Sequence, residues 1–279
     1  MEISSFLEPG AAENLEQKRV RLFEILKNLN RVLVCFSGGV DSSYVCYAAL
    51  KALGRDNVLA ATAVSPSLSE ESRQEISAWI LFTGVRHEWI ETAEFNNPAY
   101  LANNADRCYF CKTELYAAVM PLARGRNLTV IDGSNFSDLQ EHRPGYLAAR
   151  QNNVLHPLEE AGLSKPEIVE LARHSGLPNW NRPASPCLSS RIPHGQAVTR
   201  EALEKVDQAE RIIKSFGLRV VRVRHLAFDT AKIETSSEEM PALEKKRQEI
   251  IRRFSELGFT RVAFGLYPAT AEAALDAPQ

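Results

Sequence analysis

Residues 32–43 read VLVCFSGGVDSS and place two adjacent glycines between an apolar run and a helical pattern. The apolar run has the composition of a strand that is buried on both faces of a sheet. Gly38 and Gly39 can adopt backbone angles closed to other residues and leave room for a ligand. A helix N-terminus that follows such a turn favours a phosphate, because unpaired N–H groups and the helix dipole meet there.

The side chains of this turn add groups that suit a phosphate and a metal ion. The hydroxyls of Ser37, Ser42 and Ser43 can donate hydrogen bonds, and the carboxylate of Asp41 could hold Mg²⁺ between phosphates. The pattern lacks the Lys-Ser or Lys-Thr pair of a Walker-A loop, and it is not a GxGxxG loop. An ordinary glycine turn without a ligand is the simpler alternative, but the order of strand, motif and helix favours a phosphate-binding loop.

The motif resembles SGGxDS, the pyrophosphate loop of the ATP-pyrophosphatases, the PP-loop family. Enzymes of that family cleave ATP between its α- and β-phosphates and leave an adenylated substrate. The resemblance implies ATP and Mg²⁺ as cofactors and a catalytic role for Asp41. The nucleotide-binding residues that it implies are Ser37, Gly38, Gly39, Val40, Asp41, Ser42 and Ser43.

Strands and helices alternate through the first two thirds of the chain. Buried strands are predicted at residues 32–36, 58–64, 85–90 and 128–132, and helical patterns at 13–30, 40–53, 69–82, 98–120 and 164–177. This alternation indicates an α/β fold with a doubly wound parallel sheet. Ligands of such sheets lie at the carboxyl ends of the strands, where Ser37, Ser65 and Asp132 fall.

The pattern changes after Gly195, and a small α+β unit is predicted beyond it. Its predicted helices are residues 199–216 and 238–257, and its strands are 218–224, 230–234 and 261–264. We therefore expect a PP-loop domain at residues 1–195 and a second domain at 196–279 that contributes to the substrate site and to a homo-oligomer. The tail at 269–279 is expected to be peripheral.

The composition is typical of a soluble globular protein. Of the 279 residues, 44% are hydrophobic and 24% charged, and the net charge of −2 announces neither a nucleic-acid partner nor a membrane partner. The N-terminal residues show no signal peptide or transmembrane pattern. Five cysteines do not form a disulfide scaffold in a chain of this size, so we expect a reducing, cytoplasmic location.

Three cysteines are candidates for metal or redox chemistry. Cys108 and Cys111 form a CxxC pair, and Cys187 lies in a Pro-, Ser- and Asn-rich loop at residues 179–195. Three thiolates could hold a [4Fe–4S] cluster with one iron lacking a protein ligand, or a zinc ion with an open position. Cys35 and Cys46 lie in the first strand and the following helix, and we expect both in the core.

Cationic side chains near these elements suggest a second anion site. Arg222 and Arg224 alternate along one strand and could bind a phosphate from the same face, or simply be solvated. Ser190, close to Cys187 in the same loop, could donate to the same anion, and Lys112 could neutralise phosphate charge or lie on the surface. Only His194 among the histidines is a candidate for the site, while His87, His142, His156, His174 and His225 are expected to be structural.

Five motifs in order resemble the LarE family. They are SGGVDSS at residues 37–43, RCYFCK at 107–112, DGSNFSDLQEHRPG at 132–145, NWNRPASPCLSSRIPHG at 179–195 and RVRHLAFDTAKIE at 222–234. LarE proteins insert sulfur during synthesis of the nickel-pincer nucleotide cofactor of lactate racemase. The resemblance implies the substrate pyridinium-3,5-biscarboxylic acid mononucleotide, whose carboxylate is adenylated and then converted to a thiocarboxylate. It also implies that Ser190, Arg222 and Arg224 hold the phosphate of this small-molecule nucleotide.

LarE proteins divide by their source of sulfur. Some sacrifice the thiol of one cysteine and retain dehydroalanine, whereas others bind a [4Fe–4S] cluster through three cysteines and transfer a sulfide bound to its open iron. The presence of Cys108 and Cys111 beside Cys187 resembles the cluster type. This implies a [4Fe–4S] cofactor and a catalytic role for Cys187 without its consumption.

Three other functions remain open at this point. A PP-loop tRNA thiolase would also combine a PP-loop with three cysteines, but no basic stripe or RNA-binding zinc motif is visible. An ammonia-using synthetase of the NAD or GMP synthetase kind would not need the cysteines. A nucleotide sensor without enzymatic activity would use the PP-loop alone.

Overall fold

The computed structural model describes residues 14–140, 144–182 and 186–267. The elements of the first part are α1 (Leu15–Leu29), β1 (Val32–Cys35), α2 (Val40–Leu53), β2 (Val58–Val64), α3 (Glu70–Thr83), β3 (Arg86–Glu91), α4 (Pro98–Leu101), α5 (Arg107–Arg126), β4 (Thr129–Ile131), α6 (Pro144–Gln151), α7 (Pro157–Glu160) and α8 (Lys165–His174). The second part contains α9 (Arg200–Lys214), β5 (Val221–Leu226), β6 (Thr230–Thr235), α10 (Met240–Lys245), α11 (Arg247–Glu256) and β7 (Arg261–Leu266). Among these helices, none combines the length and the apolar character that crossing a membrane requires.

The first sheet is parallel throughout and has the strand order β3–β2–β1–β4. All four residues of β1 are buried, because β2 and β4 flank the strand and helices cover both faces. Val32 and Val34 pack into one core group, and Leu33 and Cys35 pack into the other, as the twofold period of a strand requires. The predicted α/β fold with a parallel sheet is confirmed. Cys46 is also buried, so the expectation that Cys35 and Cys46 lie in the core is confirmed too.

The second sheet contains three strands in the order β5–β6–β7, with β5 antiparallel and β7 parallel to β6. Buried residues alternate along β5, so one face of the sheet packs on a core and the other carries polar side chains. Residues of α9, α10 and α11 contribute to this core, including Ile213, Leu243 and Phe254. The predicted α+β unit is therefore present.

Two predicted elements of this unit differ from the structure. The helix predicted at residues 238–257 is two helices, because the backbone leaves helical geometry at Lys246 with φ −100° and ψ 3°. The strand predicted from residue 218 begins only at Val221. The backbone N–H groups of Arg219 and Val220 donate to the carboxylate of Glu239 instead of to a neighbouring strand.

The boundary predicted at Gly195 stays a prediction. A fourth group of buried side chains lies on both sides of it, with Leu188 and Ile192 before the boundary and Leu203 and Val206 after it. Apolar packing therefore continues across this point of the chain.

Gly133 follows β4 and lies against the N-terminus of α2. A Cβ atom at this position would be 2.6 Å from the backbone nitrogen of Ser42 and 2.9 Å from its Cα. We therefore expect Gly133→Ala to lower the free energy of unfolding by about 1–3 kcal/mol, because packed backbone must shift. Urea denaturation followed by circular dichroism measures this change.

Gly125 in α5 provides the matched control. A Cβ atom at Gly125 would meet no heavy atom within 4 Å. Gly125→Ala should leave the stability unchanged or raise it by about 0.5–1 kcal/mol, as Ala does within a helix. Equal effects of the two substitutions would show that the contact between Gly133 and α2 is not tight.

Candidate functional site

The loop at residues 37–43 forms a hydrogen-bonded turn at the N-terminus of α2. The hydroxyl of Ser42 accepts a hydrogen bond from the N–H of Ser37 at 3.2 Å and donates one to the carbonyl of Gly39 at 3.0 Å. Gly38 has a φ of +78°, which favours glycine. Gly39 precedes the helix and provides no side-chain cap. The first N–H groups of α2 thus have no acceptor from the cap residue and are suited to an anion.

Asn179 braces this turn from a distant part of the chain. Its Nδ2 atom donates to the carbonyl of Gly38 at 2.9 Å and to the hydroxyl of Ser43 at 2.8 Å. Its Oδ1 atom is buried and has no hydrogen-bond partner among the described residues, so it can accept from a ligand or from water at the site. The sequence analysis missed Asn179, and only its place in the long loop at residues 179–195 marked it.

Lys165, the first residue of α8, reaches the same turn. Its Nζ atom lies 2.6 Å from Oδ2 of Asp41, and both side chains are about one quarter exposed, at 28% and 23%. The sequence pattern predicted the start of this helix but not the contact, since residues 41 and 165 are far apart in the chain. The pair places an ammonium group and a carboxylate together at the edge of the proposed phosphate site.

Asp132 organises a polar cluster at the carboxyl end of β4. Its Oδ1 atom lies 2.8 Å from Nδ1 of His156, its Oδ2 atom accepts from the hydroxyl of Tyr116 at 3.3 Å, and the ammonium of Lys112 is 3.8 Å away. Burial by itself would raise the pKa of Asp132. The hydrogen bond from His156 and the charge of Lys112 outweigh burial, and the pKa falls well below its usual value. Asp132 is therefore a carboxylate at neutral pH.

The three candidate cysteines lie in one region but differ in exposure. Cys108 and Cys187 are exposed, whereas Cys111 is half-buried. Burial raises the pKa of Cys111 to about 12, and the nearby Cys187 contributes in the same direction. In the described parts of the chain, no group of three or more His, Cys, Asp or Glu side chains is arranged to hold a metal ion. The predicted role of Cys108, Cys111 and Cys187 as cluster ligands stays a prediction.

Arg222 and Arg224 occupy alternate positions of β5, and both are partly exposed. Arg224 donates to the carboxylate of Glu234 at 2.7 Å and to the carbonyl of Ser190 at 3.3 Å. The guanidinium of Arg222 lies over the ring of Tyr267 at 4.1 Å. Burial lowers the pKa of Arg222, and the positive charges of nearby arginines, one of them Arg224, lower it further. An anion bound here would relieve this crowding of positive charge.

Arg191 joins this cationic group to the Cys187 loop. Its guanidinium is buried and donates to both carboxylate oxygens of Glu210, at 2.8 and 3.3 Å. It also donates to the hydroxyl of Ser190 at 2.9 Å. The sequence analysis did not assign this buried pair, since the interacting residues belong to different elements. The predicted phosphate ligand Ser190 thus lies beside two arginines, Arg191 and Arg224.

Most histidines make contacts of a structural kind. His87 bonds the hydroxyl of Thr62 at 2.8 Å, and burial lowers its pKa to about 4, so it is neutral at physiological pH. His194 lies 3.1 Å from the carbonyl of Asn103. His142 lies outside the described residues. Three others, His156, His174 and His225, contact Asp132, Arg173 and Asp229 respectively.

Comparison with known proteins identifies the family. A family model described as NAD synthase matches residues 22–107. A protein of Lactiplantibacillus plantarum named pyridinium-3,5-bisthiocarboxylic acid mononucleotide synthase is 33% identical over 254 residues, which cover 90% of this chain and 91% of that protein. The chain belongs to the LarE family. An uncharacterized protein of Synechocystis sp. is 40% identical over 255 residues, covering 90% of this chain and 94% of that protein. An uncharacterized protein of Methanocaldococcus jannaschii is 25% identical over 255 residues, covering 88% and 92%.

LarE proteins contain a PP-loop, and the family implies ATP and Mg²⁺ at this turn. The residues of this chain fit both. The α2 N-terminus and the buried Oδ1 atom of Asn179 suit a nucleotide, and the carboxylate of Asp41 is an oxygen ligand of the kind that Mg²⁺ prefers.

Asn179→Ala is expected to weaken ATP binding about 5- to 30-fold, because two hydrogen bonds that shape the turn are lost. Asn179→Asp should weaken it further, since a carboxylate would lie beside the phosphates. Isothermal titration with ATP and Mg²⁺ measures the dissociation constants. Asn181→Ala, at an exposed position two residues away, is the matched control and should leave ATP affinity unchanged. Unchanged affinity in Asn179→Ala would separate Asn179 from the nucleotide site.

Proposed function

We propose that this protein is an ATP-dependent sulfurtransferase that acts on pyridinium-3,5-biscarboxylic acid mononucleotide. In this reaction a carboxylate of the substrate becomes a thiocarboxylate, and ATP becomes AMP and pyrophosphate. The observation that carries the proposal is the 33% identity over 91% of a relative whose name states the bisthiocarboxylic product of this reaction. The geometry of the turn at residues 37–43 supports it, because the turn presents a helix N-terminus of the kind that binds phosphates.

The groups at this edge of the sheet are suited to adenylation of a carboxylate. A carboxylate oxygen of the substrate attacks the α-phosphorus of ATP, the bond to the β-phosphate breaks, and pyrophosphate leaves. The N–H groups of the first turn of α2 would bind the phosphates, and Lys165 and Lys112 would offset their charge. Asp41 would hold Mg²⁺, which when bound would neutralise charge on the leaving pyrophosphate.

The substrate's own phosphate is assigned to the second sheet. Ser190, Arg222 and Arg224 are our proposed ligands, because Arg224 bonds the carbonyl of Ser190 and the positive charges of Arg191 and Arg224 act on Arg222. Guanidinium groups bind phosphate oxygens through paired hydrogen bonds. The neighbouring Arg191 is bound to Glu210 and would orient Ser190 without carrying the substrate itself.

The sulfur donor is assigned to Cys108, Cys111 and Cys187. Their chemistry fits a [4Fe–4S] cluster, since thiolates are its usual ligands, two of the three thiols are exposed, and Cys111 is close enough to Cys187 for their charges to interact. The cluster when bound supplies an iron without a protein ligand that can carry sulfide. The thiol of Cys111 is protonated at neutral pH, so it must release a proton before it can bind a metal.

The cellular setting follows from the thiols. All five cysteines are free, and thiols of this kind persist in a reducing compartment, so we assign the protein to the cytoplasm. Homo-oligomeric assembly through the second sheet and the lack of a nucleic-acid partner stay predictions.

Arg222→Ala is expected to raise the KM for the mononucleotide about 10- to 100-fold, because a charge-assisted contact to its phosphate is lost. The KM for ATP should change little, since Arg222 belongs to the second sheet. Arg219→Ala, at an exposed position before the same strand, serves as control and should leave both constants unchanged. Steady-state kinetics, with pyrophosphate release as the readout, measure both KM values. An unchanged substrate KM in Arg222→Ala would remove Arg222 from the phosphate site.

The sulfur source is tested by product yield and intact mass together. With ATP, the mononucleotide and sulfide under anaerobic conditions, we expect several thiocarboxylate products per protein and an unchanged protein mass. Cys108→Ser should lose bound iron and activity together. A single turnover with a loss of about 34 Da, the mass of H₂S lost when cysteine becomes dehydroalanine, would instead identify Cys187 as a sacrificial donor.

The same reaction also tests the proposed function as a whole. Product analysis by mass spectrometry distinguishes a thiocarboxylate from an amide, which an ammonia-using synthetase would make. Release of pyrophosphate without any sulfur in the product would refute the sulfurtransferase proposal.

A further inference from the structure

Arg107, the first residue of α5, is buried although it carries a full charge. It is 6% exposed, and its Nη1 atom donates to Oδ1 of Asn103 at 2.5 Å and to the carbonyl of Ser189 at 2.7 Å. Within the described residues, no ion pair joins Arg107 to a carboxylate. A buried guanidinium that is compensated by neutral oxygens alone is costly. The position of Arg107 here indicates a specific role for these two hydrogen bonds.

Asn103 holds the other end of the same network. It is completely buried and has a φ of +56°. Its Nδ2 atom donates to the carbonyls of Ile192, Pro193 and Gln196 at 3.1, 2.8 and 2.9 Å. Three carbonyls of an irregular loop therefore converge on one amide group. These three bonds fix the orientation of the Asn103 side chain, and with it the Oδ1 atom that accepts the hydrogen bond from Arg107.

The network joins the two segments that carry the candidate cysteines. Arg107 is adjacent to Cys108 in the chain, and Ser189 follows Cys187 by two residues. The hydroxyl of Tyr100 provides a second connection, since it lies 2.7 Å from the hydroxyl of Ser189. Apart from a short 3₁₀ turn, the Cys187 loop has no regular secondary structure in its described residues. Side-chain hydrogen bonds therefore add to a few backbone bonds, such as that from Leu188 to the carbonyl of Ser67, in holding its backbone.

We infer that Arg107 is a positioning residue that, oriented by Asn103, sets the distance between the CxxC pair and Cys187. The role of this spacing in catalysis rests on the proposed function, because sulfur transfer requires the three thiols to lie close together. The geometry itself is a property of the protein without metal. Loss of Arg107 removes the direct hydrogen bond from α5 to the Cys187 loop. We therefore expect Cys187 to shift relative to α5, although Asn103 and Tyr100 still hold the loop. A merely structural role would lower the stability and leave the separation of the thiols in the folded protein unchanged.

A cross-linking reagent measures this separation directly in the full-length, metal-free protein. Each thiolate displaces one bromide from dibromobimane, and the reagent becomes strongly fluorescent after both bromides have left. In a Cys111→Ser parent, the accessible thiols among the described residues are those of Cys108 and Cys187, which are both exposed, since Cys35 and Cys46 are buried. Fluorescence and peptide mapping by mass spectrometry then report the fraction of protein in which Cys108 is linked to Cys187.

Three further substitutions in this parent give the comparison. Arg107→Met removes both donors and keeps an apolar stem, and we expect the linked fraction to fall about tenfold, as the loss of two charge-assisted hydrogen bonds predicts. Arg107→Lys retains a charge that can reach one of the two acceptors, so an intermediate fraction is expected. Arg124→Met, at an exposed position of the same helix, should match the parent.

Urea denaturation of each variant separates loop movement from unfolding. If Arg107→Met does not fold, the linked fractions of Arg107→Lys and the parent are compared instead. Linkage equal to the parent in either folded Arg107 variant overturns the inference, and so does an absence of linkage in the parent. Failure of the proposed function is a different result: a wild-type protein that binds no iron and transfers no sulfur would still show the dependence of cross-linking on Arg107.

Discussion

The backbone N–H groups at the start of α2 can serve an anion only while the glycine turn stays at the edge of the parallel sheet. The buried strand β1 imposes this constraint, because it is paired on both sides and its end is bonded to β2 through Phe36 and Thr62. Asn179 holds the turn from the other side. The rest of the site, including the carboxylates of Asp41 and Asp132, is placed relative to this edge.

The second sheet is coupled to the site through a buried ion pair. Arg191 belongs to the Cys187 loop and Glu210 to α9, and the same carboxylate also accepts from the N–H of Val223 in β5 at 3.0 Å. Removing one partner of such a pair typically costs about 3–5 kcal/mol, because the other charge is left buried. The pair therefore keeps Ser190 and the arginines of β5 in a constant relation, which a two-sided phosphate site requires.

The cysteine thiols differ in pKa and in accessibility because some are buried and others are exposed. Burial raises the pKa of Cys35 to about 12 and that of Cys111 to a similar value, so both are protonated at neutral pH. Cys108 and Cys187 are exposed to reagents and ligands. A cation or metal that enters beside Cys111 would favour its thiolate, which couples ligand binding to the loss of a proton. Arg107 and Asn103 bond the backbone of the loop that carries Cys187.

The sequence by itself determined the parallel α/β sheet, the glycine turn at residues 37–43 and the family, because strand period, adjacent glycines and motif order are local features of the chain. It also indicated Cys108, Cys111 and Cys187 as a group. Only the tertiary structure decided that Asn179 and Lys165 contact the turn at residues 37–43. It also decided that Arg107 donates a hydrogen bond to the loop of Cys187. These contacts join residues that are 82 to 141 positions apart. Long-range hydrogen bonds of single side chains leave no periodic signal, so they emerge only when the sheet brings distant loops to one edge.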